Sequence, residues 1–270
     1  LPEYYPTRAE RSILVARSAQ IARRTRAHTL VELGSGSSEK TRLLLDALQA
    51  EGTLREFVPL DVSEAALRDA VAALNADYRM LAIHGVVGDF TEHLGRIPGQ
   101  TPRIVAFLGG TIGNLFPDER ASFLAELRDT LVGGEWLLLG TDLVKDPGIL
   151  VPAYDDAAGV TAEFNRNVLA VLNRQLGADF DVQNYEHVAV WDPDNEWIEM
   201  RLRSTGPALV SLTELDLDIV VEAGEEIRTE ISAKFRREGV ERELVKAGFS
   251  LDCWWTDPEG RFALSLARAL

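Results

Sequence analysis

The feature that most constrains this chain is a strand-to-helix joint near its start. Residues 29–33 (TLVEL) are a short apolar run, residues 34–38 (GSGSS) a glycine-rich turn, and residues 40–48 (KTRLLLDAL) resume at helical spacing. The same grammar recurs downstream. Residues 56–60 (EFVPL) stop at Asp61, and Ser63 is placed to cap a helix beginning at Glu64. Residues 83–87 and 104–108 read as third and fourth strands, 119–131 as a helix and 135–139 as a fifth strand. A helix over 8–25, with Ile13, Leu14, Ala16 and Ile21 on its buried face, precedes them all. Strands alternating with helices at this spacing predict an α/β, Rossmann-like parallel sheet with helices on both faces.

After Asp142 the rhythm breaks. Residues 149–179 read as helical, and 185–191 with 197–203 as a hairpin around the turn DPDN at 192–195. Two further strands are predicted over 208–212 and 215–221, followed by the segment 224–234. Helical periodicity returns over 238–247. Residues 250–256 and 261–268, joined by DPEG, then form an antiparallel hairpin closing the earlier sheet. Residues 143–234 are therefore expected to be an inserted α+β domain.

Composition narrows the function. With 43 acidic against 28 basic residues, the net charge of −15 argues against a nucleic-acid partner and for a small ligand. Cys253 is the single cysteine, so no intrachain disulfide forms, and the scattered His28, His84, His93 and His187 offer no metal-ligand spacing. No metal is expected. Those histidines are assigned to surface or edge positions, Cys253 to a buried site without nucleophilic duty, and Trp254 with Trp255 to one face of the last hairpin. No apolar run approaches the length of a membrane span, the first residues lack the core of a signal peptide, and the cytoplasm is the expected compartment. The first residue is not Met, which suggests a start inside a longer natural protein.

In an open parallel sheet the ligand crevice lies at the carboxyl ends of the strands, where strand order reverses. Gly34 and Gly36 let the backbone turn sharply and approach a ligand. Asp61, ending the second strand, can accept ribose hydroxyls. Asp89 after the third strand can accept an adenine amino hydrogen, with Phe90 packed on the ring. A bare GxG is also an ordinary tight turn, Asp61 an ordinary helix N-terminal acid, and a nicotinamide-dependent oxidoreductase needs the same first two elements. The GDF element at 88–90 and the terminal hairpin favour S-adenosylmethionine.

Beyond these, the motifs LPEYYPTR, VELGSGSSEKT, FLGGTIGNL, GTDLVKD, AYDDAAGVTAEFNRNVL, the segment around Glu230 and Ser232, and WWTDPEGRFALSL span essentially the whole chain. Together they resemble the histidine-specific Nα-methyltransferases of ergothioneine biosynthesis. The resemblance implies a class I methyltransferase fold whose residues 9–142 and 235–270 bind S-adenosylmethionine, while 1–8 and 143–234 bind substrate. It implies three methyl transfers to L-histidine, through the mono- and dimethyl forms, giving hercynine and S-adenosylhomocysteine. By matching motif, Gly34, Lys40, Asp61, Asp89 and Phe90 would contact the cofactor. Asn114 and Tyr154 would hold the backbone groups of the amino acid as the catalytic pair, with Tyr4 or Thr161 assisting, and Glu230 and Ser232 would bind the imidazole. Members of the family carry a further N-terminal segment before LPEYYPTR, part of which closes over the substrate. A monomer is expected, without nucleic-acid or membrane partners. Each residue also has a plainer reading: Lys40 as a solvated helix residue, Asn114 as a turn former, Tyr154 as helix packing, Glu230 as a surface charge. A methyltransferase for another amino acid or small amine, and a noncatalytic cofactor-binding protein, stay open as alternatives.

Overall fold

Apolar runs bounded by turn residues become the buried strands of a parallel sheet. In the computed structural model, which describes residues 1–36, 38–91 and 94–270, helix α1 (Pro6–Thr25) leads into β1 (Thr29–Leu33), α2 (Arg42–Ala50), β2 (Glu56–Asp61) and α3 (Glu64–Asp77). Then come β3 (Ala82–Ile83), β4 (Val86–Val87), β5 (Arg103–Phe107), α4 (Pro117–Thr130) and β6 (Trp136–Asp142). Every residue of β1, β5 and β6 is buried, as expected of strands covered on both faces. Ser63 caps α3 as its position predicts, its hydroxyl accepting from the Ala66 amide.

The third strand differs from its single predicted run. It is two short pieces, parted at His84 and Gly85. Gly85 lies so close to α3 that an added Cβ would meet Leu67 Cδ2 at 3.2 Å. At this edge of the sheet His84 is exposed, its ring 3.2 Å from Glu56.

The intervening segment builds α5 (Pro147–Tyr154), α6 (Val160–Leu176), β7 (Tyr185–Asp192), β8 (Trp197–Ser204), β9 (Ala208–Leu212), β10 (Leu217–Val221) and β11 (Glu226–Ala233). Strands β11, β8 and β7 form one antiparallel sheet in that order, and β9 pairs with β10 in another. Leu169, Phe180, Tyr185, Leu202, Val210, Leu212 and Val221 make the core. The run predicted as helix over 149–179 is broken at residues 155–159. There Gly159 turns with φ +73° and Asp156 accepts the Val160 and Thr161 amides at 3.1 and 2.7 Å, ending one helix and starting the next.

The chain closes with α7 (Arg237–Lys246), β12 (Phe249–Thr256) and β13 (Phe262–Ala269). The large sheet runs β12-β13-β6-β5-β1-β2-β3, with β4 also on β2. Of the terminal hairpin only β13 opposes the sheet: it is antiparallel to both β6 and β12, so β12 runs with the parallel strands. Trp254 and Trp255, adjacent on β12, project to opposite faces rather than one, Trp255 buried and Trp254 half-buried. Cys253 is half-buried, not buried, with its thiol donating to Asp252.

Two compact units result, Leu1–Tyr5 with Val144–Lys234 and Pro6–Leu143 with Phe235–Leu270. Among the described residues no helix is long and apolar enough to cross a membrane.

Candidate active site

In the larger unit strand order reverses at β1, which lies between β2 and β5. The predicted cofactor residues follow the carboxyl ends of β1 (Gly34 and Lys40), β2 (Asp61) and β4 (Asp89 and Phe90). Gly34 and Gly36 have φ of +68° and +47°, and nothing lies within 4 Å of where a Cβ would stand on either. The turn thus leaves open space against its backbone, as a ligand-cradling loop requires. Asp61 fixes that turn. Its Oδ2 accepts the Gly36 amide at 2.8 Å and its Oδ1 the Ser63 amide at 2.9 Å. A carboxylate offers about four lone-pair sites, so these bonds leave capacity for ribose hydroxyls.

Asp89 Oδ1 accepts both the amide and the hydroxyl of Thr91, at 2.8 and 2.7 Å. Phe90 packs on Phe107 and Phe123, ring centroids 5.0 and 5.8 Å away, which fixes its plane. Lys40 is not a solvated helix residue: it precedes α2 and pairs with the fully buried Glu10 of α1, whose other oxygen accepts the Gly109 amide at 2.7 Å. Asn114 ends a short 3-10 turn (Thr111–Asn114) after β5, and it is exposed. These residues fit S-adenosylmethionine, with an open glycine turn, a carboxylate beside it, and an aromatic ring next to a second acid.

Sequence reasoning missed one member of this neighbourhood. Glu32, inside β1, is buried, and it accepts the Ser38 hydroxyl at 2.9 Å and the Thr41 hydroxyl. Burial pushes its carboxyl up to about 7, against the pull of the two hydroxyls and Lys40. Those hydroxyls at positions +6 and +9 were the available signal.

The smaller unit gathers four predicted substrate residues and a fifth that was not predicted. Tyr154, the last residue of α5, and Ser232 on β11 are both buried, with their hydroxyl oxygens 2.8 Å apart. Lys234 Nζ donates to each, at 2.8 Å in both cases. Tyr4 meets the Tyr154 ring edge-on at a centroid distance of 6.3 Å. Glu230 lies two residues before Ser232 on the strand. Its carboxyl is raised by burial, and the charge of Lys234 partly offsets this. Alternation along β11 predicted the common face of Glu230 and Ser232, and one more step would have reached Lys234.

Thr161, the second residue of α6, donates its amide to Asp156. The Thr161 hydroxyl and the two amides hold the Asp156 carboxyl down at about 2. His187 takes the edge position expected of it, on strand β7, but not a surface one: its side chain is 2% exposed. Asn165, itself buried, donates to Nδ1 at 2.9 Å, so Nε2 carries the proton and donates to the Tyr154 carbonyl at 2.8 Å. Its partner lies 22 residues away in sequence, which hid the pairing. His28 is half-buried, and His93 lies outside the described residues.

The fold and the open turn define a class: methyltransferases of the class I, S-adenosylmethionine-dependent fold. The solved mitomycin 7-O-methyltransferase MmcR shares it, with a TM-score of 0.51 and 14% identity over 96% of this chain and 54% of that one. That likeness is one of fold alone. The sequence matches the family described as histidine-specific, SAM-dependent methyltransferases over residues 1–269, and the chain belongs to that family. It is 59% identical to the histidine N-alpha-methyltransferase of Mycolicibacterium smegmatis, and 56% identical to that of Mycobacterium tuberculosis. Each alignment spans 99% of this chain and 83% of the relative.

Proposed function

We propose that this chain transfers three methyl groups from S-adenosylmethionine to the α-amine of L-histidine, forming hercynine for ergothioneine biosynthesis. The observation that carries the reading is the 59% identity to a histidine N-alpha-methyltransferase along nearly the full chain. In this reading the larger unit binds the cofactor and the smaller unit recognises the amino acid, with S-adenosylhomocysteine as the other product and no metal required.

Gly34, Lys40, Asp61, Asp89 and Phe90 would hold S-adenosylmethionine, which when bound supplies an electrophilic methyl carbon on a sulfonium. Orientation of the amine is then the main task of the protein. Asn114 suits it, since an amide can accept from an ammonium and donate to a carboxylate. Tyr154 and Tyr4 add a hydroxyl and aromatic faces, which tolerate a nitrogen that grows in bulk and ends as a fixed cation. Each transfer forms one N–C bond, and the amine must lose one proton before each attack, so three protons leave per hercynine. No strong base is assigned. The proton passes to water.

Incubating the protein with histidine and S-adenosylmethionine should give mono-, di- and trimethylhistidine by mass spectrometry. Absence of every methylated histidine, alongside methylation of another amine in a substrate panel, would replace histidine as the acceptor. Glu230→Ala should raise KM for histidine by at least about tenfold, the loss of one charge-assisted hydrogen bond, and leave cofactor affinity unaltered. Unchanged discrimination between histidine and other amino acids would remove Glu230 from the imidazole site.

A further inference from the structure

Glu230, Ser232 and Lys234 follow one another at two-residue steps along and just beyond β11, and alternation puts them on one face. Lys234 is 4% exposed, a burial that a lysine tolerates only with well-placed acceptors. The oxygens of Tyr154 and Ser232 serve as such acceptors, each 2.8 Å from Nζ. An ammonium donates and never accepts, so it fills one lone pair on each oxygen. The two hydroxyls are also bonded to one another, at 2.8 Å. One of their two protons is spent in that bond. The other must point outward, and if Tyr154 is the donor, Ser232 has both lone pairs occupied and can only donate.

We propose that Lys234 is a specificity-setting, positioning residue: by occupying acceptor sites on Ser232 and Tyr154 it makes the hydroxyl pair an outward proton donor, selecting a neutral imidazole over an imidazolium. The proposal rests on the reading that Glu230 and Ser232 meet the imidazole. A neutral ring brings one N–H, which Glu230 accepts, and one bare nitrogen, which the hydroxyl pair satisfies. With Tyr154 as donor to Ser232, an imidazolium, which brings two N–H groups, finds a second acceptor only if Lys234 releases one. The same ammonium repels the cationic side chains of lysine and arginine. Two neighbours of Tyr154 do not bond its hydroxyl in the contacts described. His187 donates to the Tyr154 backbone carbonyl and has Asp155 4.0 Å from Nε2, and Tyr4 contributes a ring edge.

The test is the pH profile of the ratio of kcat/KM for histidine to that for β-(1,2,4-triazol-3-yl)alanine, whose ring stays neutral across this range. Both substrates shed an α-amine proton before attack and both meet Glu230, so those dependences divide out of the ratio. The imidazole limb, with a pKa of about 6.5, should lower the ratio about eightfold from about pH 7 to 5.5. Lys234→Met should shrink that fall to less than about twofold, while Lys234→Arg, which keeps the donors, should retain it. An unchanged eightfold fall in Lys234→Met overturns the proposal. So does a constant ratio in the wild-type protein, because the charge of the ring would then go unread. The wild-type comparison and the Arg variant decide the matter even if Lys234→Met does not fold. Glu230→Ala separates the levels: if it leaves histidine discrimination intact, the imidazole assignment itself fails.

Discussion

Replacing Asp61 by Ala is expected to weaken S-adenosylmethionine and S-adenosylhomocysteine binding by about a hundredfold, with a matching fall in kcat/KM. The side chain has two duties. Its oxygens hold the Gly36 amide at 2.8 Å and the Ser63 amide at 2.9 Å, so one carboxylate ties the glycine turn to the start of α3. Hydrogen bonds to a charged group contribute about 1.5–3 kcal/mol each, and water replaces part of that at this half-buried site. Loss of the ribose contact adds to it. Together an effect near 2.7 kcal/mol, about two decades in Kd, is reasonable. Asp61→Asn should fall between, since an amide oxygen can keep one of the two N–H bonds but the amide nitrogen faces the other. Calorimetric titration with S-adenosylhomocysteine reads this directly. An Asp61→Ala protein that binds it as tightly as the wild type would show that the carboxylate only shapes the turn, and that the cofactor gains nothing from that shape.

The framework of the larger unit was legible because its determinants are local. The run at 29–33, the glycines at 34 and 36, and the Ser63 cap each declare themselves within a few residues, and alternation of strand and helix then leaves few topologies. The two places where the local pattern misled have physical causes. At 83–87 the apolar content promised a full strand, but the pairing lapses at His84 and Gly85, opposite Val58 and Pro59 of β2, and proline has no N–H to give a ladder. At 149–179 helical periodicity continued across Asp156 and Gly159, whose capping and left-handed backbone end it. The polar interior was harder to see. The His187 side chain is withdrawn from solvent and bonded to Asn165, 22 residues away in the chain. Lys234, just past β11, tolerates burial because Tyr154 at the end of α5 accepts from it. Neither partner is adjacent in sequence, so charge or polarity alone pointed outward. Most of the substrate residues came from resemblance, and the structure groups Tyr4, Tyr154 and Ser232 without using that resemblance.

Glu32→Gln is expected to make the protein more stable at about pH 8 and to leave it nearly unchanged at about pH 5. The carboxyl sits in a strand buried on both faces, and desolvation raises it to about 7 from an ordinary value of 4.5. Below 4.5 both the folded and unfolded chains carry the proton. Between there and about 7 the folded protein binds the proton while the unfolded chain has lost it, so stability falls as pH rises. Above about 7 the full cost is present, on the order of 3 kcal/mol for a shift of this size. Gln keeps one oxygen for the Ser38 or Thr41 hydroxyl and removes the buried charge. The displaced hydroxyl can turn, because it both donates and accepts. Unfolding by denaturant at the two pH values separates the outcomes: equal destabilisation at both would mean that geometry, not ionisation, governs the site. A stabilised variant should bind S-adenosylhomocysteine less well, because Ser38 and Thr41 lie on the segment that follows the glycine turn and the carboxylate holds both. In that case the chain keeps an unfavourable acid inside its sheet because the acid fixes the shape of the loop beside the cofactor.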